Sequence, residues 1–64
     1  MKVYNKGQRS FLVPIKSVKL PEGYIAEPGQ KTFSIGPEDK IEVEDKVAAD
    51  LIRIYPRELV EWGK

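Results

Sequence analysis

Glycine and proline cut this chain into pieces too short for anything but turns and β-strands, with one exception. Its five glycines and five prolines fall at Gly7, Pro14, Pro21, Gly23, Pro28, Gly29, Gly36, Pro37, Pro56 and Gly63. Proline cannot donate to a strand ladder, and glycine supplies the backbone angles that turns demand. The exception is the stretch that stops at Pro56. There Val47, Ala48, Leu51, Ile52 and Tyr55 recur at i, i+1, i+4, i+5 and i+8, one apolar stripe at helical spacing. Lys46, Asp50 and Arg53 face the other way. Asp45 (or Glu44) stands where a cap is needed, and acids at that end suit the helix dipole. Pro56 disfavours helical geometry at Tyr55 and ends the run.

The remaining pieces read as short strands. Lys2 to Asn5 and Arg9 to Val13 form a hairpin around Asn5-Lys6-Gly7-Gln8, with Gly7 taking a positive φ. Phe11, Val13 and Ile15 alternate with Leu12, Pro14 and Lys16, so both faces of that strand are partly apolar. Ile15, Val18 and Leu20 lead along an extended path to the turn Pro21-Glu22-Gly23. Tyr24, Ile25 and Ala26 make a short apolar step before Pro28-Gly29, which suits a type II turn. Thr32 to Ile35 alternates polar with apolar, and Gly36-Pro37-Glu38-Asp39 turns the chain again. Ile41 and Val43, set between Lys40, Glu42 and Glu44, predict a half-buried strand. Glu58 to Trp62 supplies the last one. Strands this short need a shared sheet and a covering helix to bury their apolar sides. The expected fold is α+β: one domain over residues 1–64, with a small, mainly antiparallel sheet or partly open barrel and one covering α-helix near the C-terminus.

Composition narrows the chemistry. The 64 residues include no cysteine and no histidine. That removes disulfides, the usual zinc ligands, thiol nucleophiles and the commonest general base together. Glu38, Asp39, Glu42, Glu44, Asp45 and Asp50 lack the alternate-position spacing of a calcium loop, and read as a solvated strand face plus a helix cap. Ser10, Ser17, Thr32 and Ser34 have neither an activating base nor a nucleophile-elbow motif. A core of this size gives a lysine no desolvated pocket. The expectation is a protein that is not an enzyme, with no cofactor and no metal. No apolar run approaches the roughly 20 residues of a membrane span, and Met1 to Lys6 has no signal-peptide character. A cytoplasmic or virion-associated protein is expected.

Charge is unevenly spread. Residues 1–20 carry five bases and no acid, while the rest of the chain nets −4. The simple reading is that the two parts lie together and neutralise, with Tyr4 and Phe11 as cross-strand packing partners. The alternative is a nucleic-acid-binding hairpin, because Lys2, Tyr4, Lys6, Arg9 and Phe11 interleave bases with aromatics. A partner-binding contact is also expected near the chain end. Trp62 beside Leu59 and Val60 anchors the core if its strand docks, and a protein partner if it frays.

The segment Lys40 to Pro56 also resembles small proteins encoded in phage and prophage structural-gene clusters, among the head and tail-assembly genes. These run from a β hairpin through a Pro-Gly turn to a strand, then to a helix of the form "evpdevA..Ll..yP". Gly7, Pro28-Gly29, Val43-Glu44-Asp45, Ala48, Leu51 and Tyr55-Pro56 stand at the corresponding points. The resemblance implies an interaction or assembly role through protein–protein contacts, self-association included, and carries over no catalytic residues.

Overall fold

The computed structural model describes residues 1–63. Among the described residues, six strands and one α-helix follow in the order β1 (Lys2–Asn5), β2 (Phe11–Pro14), β3 (Val18–Lys19), β4 (Thr32–Ile35), β5 (Lys40–Val43), α1 (Asp45–Ile54) and β6 (Leu59–Glu61), with a turn of 3-10 helix at Ile15–Ser17. The fold is α+β, with every strand pair antiparallel. The strands are shared between a four-stranded sheet, ordered β3-β5-β1-β6, and a two-stranded sheet of β2 and β4. No helix among the described residues is long and apolar enough to cross a membrane.

Period-two alternation decides what each strand buries. Val3, Ile41, Val43, Val18 and Leu59 point inward from the larger sheet, and Phe11, Val13, Phe33 and Ile35 from the smaller one. Ala48 of α1 is fully buried in the same cluster, and Val47, Leu51, Ile52 and Tyr55 pack against it. The stripe from Val47 to Tyr55 therefore does what its spacing predicts. Tyr55 caps the cluster from the helix end, its ring centroid 4.8 Å from that of Phe11.

The expected hairpin between β1 and β2 does not form. β1 is an interior strand of the larger sheet, flanked by β5 (Val3 opposite Ile41) and β6 (Tyr4 opposite Val60), so neither of its edges is open to β2. β2 pairs instead with β4, Leu12 lying opposite Ser34. Residues 6–10 are an arch between the sheets, and buried Asn5 is its keystone. The Asn5 Nδ2 group donates to the carbonyls of Arg9 (2.7 Å), Ile35 (3.1 Å) and Gly36 (3.0 Å). Its Oδ1 accepts the Gly7 N–H at 2.9 Å, an Asx turn. Gly7 is thus not a positive-φ residue. Glycine fits there because a Cβ would lie 2.8 Å from Glu58 Cγ.

Two tight turns frame β4. Gly29 has φ +80°, and the Gln30 N–H donates to the Glu27 carbonyl at 3.0 Å, the type II turn expected of Pro28-Gly29. After β4, Asp39 N–H donates to the Gly36 carbonyl at 3.1 Å, which puts Glu38 at φ +67°. A glutamate there is strained by about 1 kcal/mol. The strain is held in place because Glu38 N–H donates to the Asn5 carbonyl (2.7 Å) and Asn5 N–H to the Asp39 carbonyl (3.0 Å).

The helix start also departs from expectation. Glu44 occupies the cap position without a side-chain cap bond, and the Asp45 carboxylate turns to the Met1 ammonium, 2.9 Å away.

Candidate interaction face

The strand alternation that buries Val3, Ile41 and Leu59 sends their neighbours to the opposite side of the four-stranded sheet. Ladder register sets the order across that outer face. Tyr4 lies between Lys40 and Val60, and Lys2 lies opposite Glu42, which in turn faces Lys19. Trp62 continues the line of β6, since its N–H donates to the Lys2 carbonyl at 2.8 Å. The backbone of Trp62 is therefore docked, yet its side chain stays outside the core at 41% exposure. Both halves of the sequence expectation were too simple: the strand neither frays nor buries its indole. Trp62 packs sideways on Tyr4, ring centroids 5.3 Å apart and planes tilted by 49°. Lys40 Nζ lies 4.0 Å from the indole centroid and 5.9 Å from that of Tyr4, within cation–π range.

The other residues expected at a partner contact separate. Val60 is half-buried beside Tyr4 on the outer face. Leu59 is fully buried in the core and cannot touch a partner in this fold, because adjacent strand residues point to opposite sides.

The set expected for nucleic acid also divides. Lys2 and Tyr4 belong to the outer face, and Lys6 is exposed on the arch. Phe11 points into the core, so Tyr4 and Phe11 are not packing partners: Trp62 is the neighbour of one ring and Tyr55 of the other. Arg9 is committed elsewhere. Its guanidinium donates to both carboxylate oxygens of Glu58, at 2.7 and 3.2 Å, and lies over the rings of Phe11 (4.8 Å) and Tyr55 (5.3 Å). The hydrogen bond to Glu58 raises the Arg9 pKa above its ordinary value.

Most of the acids singled out from the sequence have local partners. Asp39 accepts the Gly36 N–H (2.8 Å), and Asp50 accepts from Arg53 (3.4 Å). Glu42, the acid of the outer face, accepts from the Met1 ammonium at 2.6 Å. That bond lowers the Glu42 pKa below the ordinary glutamate value and raises that of the ammonium. An open concavity beside this contact, lined by Met1, Lys16, Ser17, Lys19, Glu44 and Asp45 among others, mixes both signs of charge. Among the described residues no group of three or more acids converges on a point where a metal ion could sit.

Lys19 and Lys40 were missed as face residues, although Lys40 precedes Ile41 in a clear alternation and could have been assigned its side. Asn5 gave no signal at all, because its burial depends on the arch that surrounds it. No known protein family, curated protein or solved structure matches this chain.

Proposed function

We propose that this chain is a non-enzymatic interaction and assembly module, of the kind found in phage or prophage structural machinery, which works through protein–protein contacts of the outer sheet face. The observation that carries this reading is the exposed indole of Trp62, held by a docked backbone against Tyr4 and beside Val60. Two aromatics and a valine outside the core have lost part of their hydration already, and a partner covering them removes the rest. Side chains of this type anchor protein interfaces, because they bury much area at a low entropy cost. Its expected setting is the cytoplasm or an assembled particle.

A random-peptide display selection on the immobilised protein tests the reading. Enriched peptides are expected to lose binding to a Trp62→Ala variant whose circular dichroism is unchanged. Peptides that bind that variant equally well, or no enrichment over a blank support, refute it. A second reading, single-strand nucleic-acid binding, draws on Lys2, Lys19 and Lys40 around the same rings. Titration with oligo-dT at two salt concentrations tests it: salt-sensitive binding supports the reading, and no binding even at low salt removes it.

A further inference from the structure

Resting on the face proposed above, we infer that the partner is an acidic segment of another protein, one that sets an apolar side chain against Tyr4, Val60 and Trp62 and carboxylates against Lys2, Lys19 and Lys40. Charge complementarity carries the inference. Among the described residues, none of these three lysines takes part in an ion pair; the pairs involve Met1, Arg9 and Arg53 instead. The acid that shares the ladder row of Lys2 and Lys19, Glu42, is already held by the Met1 ammonium at 2.6 Å, and Lys40 has Tyr4 and Val60 in its row. The face therefore offers three ammonium groups outside any ion pair around an apolar centre, two of them, Lys2 and Lys19, flanking the Glu42 carboxylate, which is the layout of an interface with a hydrophobic core and a charged rim.

Lys40 adds a geometric reason. Its ammonium lies 4.0 Å from the indole centroid, on the surface a partner has to cover. Burying that contact without an anion would strand a cation in a drying interface, which is costly. A carboxylate brought by the partner pairs the ammonium and leaves the rest of the indole free for an apolar contact.

The same geometry speaks against an oligonucleotide as the occupant. Tyr4 and Trp62 are tilted by 49° against each other at 5.3 Å, and Lys40 covers one side of the indole, so the two rings do not form a continuous platform for successive stacked bases. The arginines lie off this face: Arg9 and Arg53 are paired with Glu58 and Asp50, and Arg57 sits in the turn before β6.

The test uses the full chain and the peptide selection described above, repeated with Lys2→Glu/Lys40→Glu protein. Peptides enriched on the native protein are expected to be rich in Asp and Glu flanking an apolar residue. They should weaken about tenfold on the charge-reversed protein, and lose affinity as salt rises. Trp62 emission, from the only tryptophan in the chain, reads binding directly. Enriched peptides that need Trp62 but show no acidic bias overturn the partner chemistry while leaving the face intact. Peptides indifferent to Trp62→Ala overturn the face itself. Binding of oligo-dT with no peptide enrichment overturns both in favour of a nucleic acid. Concentration-dependent self-association in sedimentation that Lys2→Glu/Lys40→Glu abolishes makes the partner a second copy, and overturns the inference.

Discussion

Replacing Asn5 by alanine tests the architecture at its most loaded point. The side chain is fully buried: its two amide N–H donors are shared among three carbonyls, and its oxygen accepts one N–H. Alanine leaves the Ile35 carbonyl without this partner in a buried site, and takes one from Arg9, Gly36 and Gly7 where burial is partial. An orphaned buried group costs about 1–3 kcal/mol. Water can reach the partly buried groups, so the sum is set at about 3–4 kcal/mol rather than at four full penalties. A domain of 64 residues has a total stability of about 3–10 kcal/mol at the usual value per residue. Asn5→Ala should therefore lose from about a third to all of the fold's stability. Urea denaturation followed by Trp62 emission and circular dichroism reads the effect, with thermal melting as the second measure. The melting temperature should fall by roughly 12–30 °C, at the shift per kcal/mol typical of small domains. Leu12→Ala is the control: that side chain is 69% exposed on the smaller sheet, and its loss should stay within about 0.5 kcal/mol. An Asn5→Ala protein within about 1 kcal/mol of the native one would refute the keystone reading.

Three further outcomes are expected. Glu38→Gly should stabilise by up to about 0.5 kcal/mol, the relief at φ +67° slightly exceeding the added freedom of the unfolded chain; a lower melting temperature contradicts this. Gly7→Ala should destabilise by about 1–2 kcal/mol, since its Cβ would lie 2.8 Å from Glu58 Cγ, and the penalty should shrink in a Glu58→Ala background. Finally, the Met1–Glu42 contact should shape the pH dependence. Its lowered Glu42 pKa gives stability that is present above the ordinary 4.5 and lost as pH falls through the lowered value. The raised ammonium pKa gives stability that is present below the ordinary 8.0 and lost as pH climbs through the raised one. Glu42→Gln should flatten both flanks of the melting-temperature profile, and an unchanged profile counts against the contact.

The elements were legible wherever the signal was local. The stripe from Val47 to Tyr55, the stop at Pro56, the Pro28-Gly29 turn and the alternation of Ile41 and Val43 all follow from residues within one turn or one pleat of each other. So does the side of the sheet on which Lys40 falls. These readings rest on backbone sterics and on period, which neighbours in sequence settle between themselves.

Strand partnership belonged to the tertiary structure. Lys2–Asn5 and Phe11–Pro14 look like a hairpin, yet β1 is taken on both edges by strands from the far end of the chain, Lys40–Val43 and Leu59–Glu61. Pairing is decided by which arrangement buries the most apolar surface and satisfies the most backbone, a comparison that involves every strand at once. The same holds for Asn5, whose amide is buried because the carbonyls of Arg9, Ile35 and Gly36 converge on it, and for Trp62, whose exposure follows from the side of the sheet it falls on just past β6. Sequence by itself determined the pieces and their faces. Only the assembled sheet decided which face was left over for a partner, because that is a property of the pairing and not of any one strand.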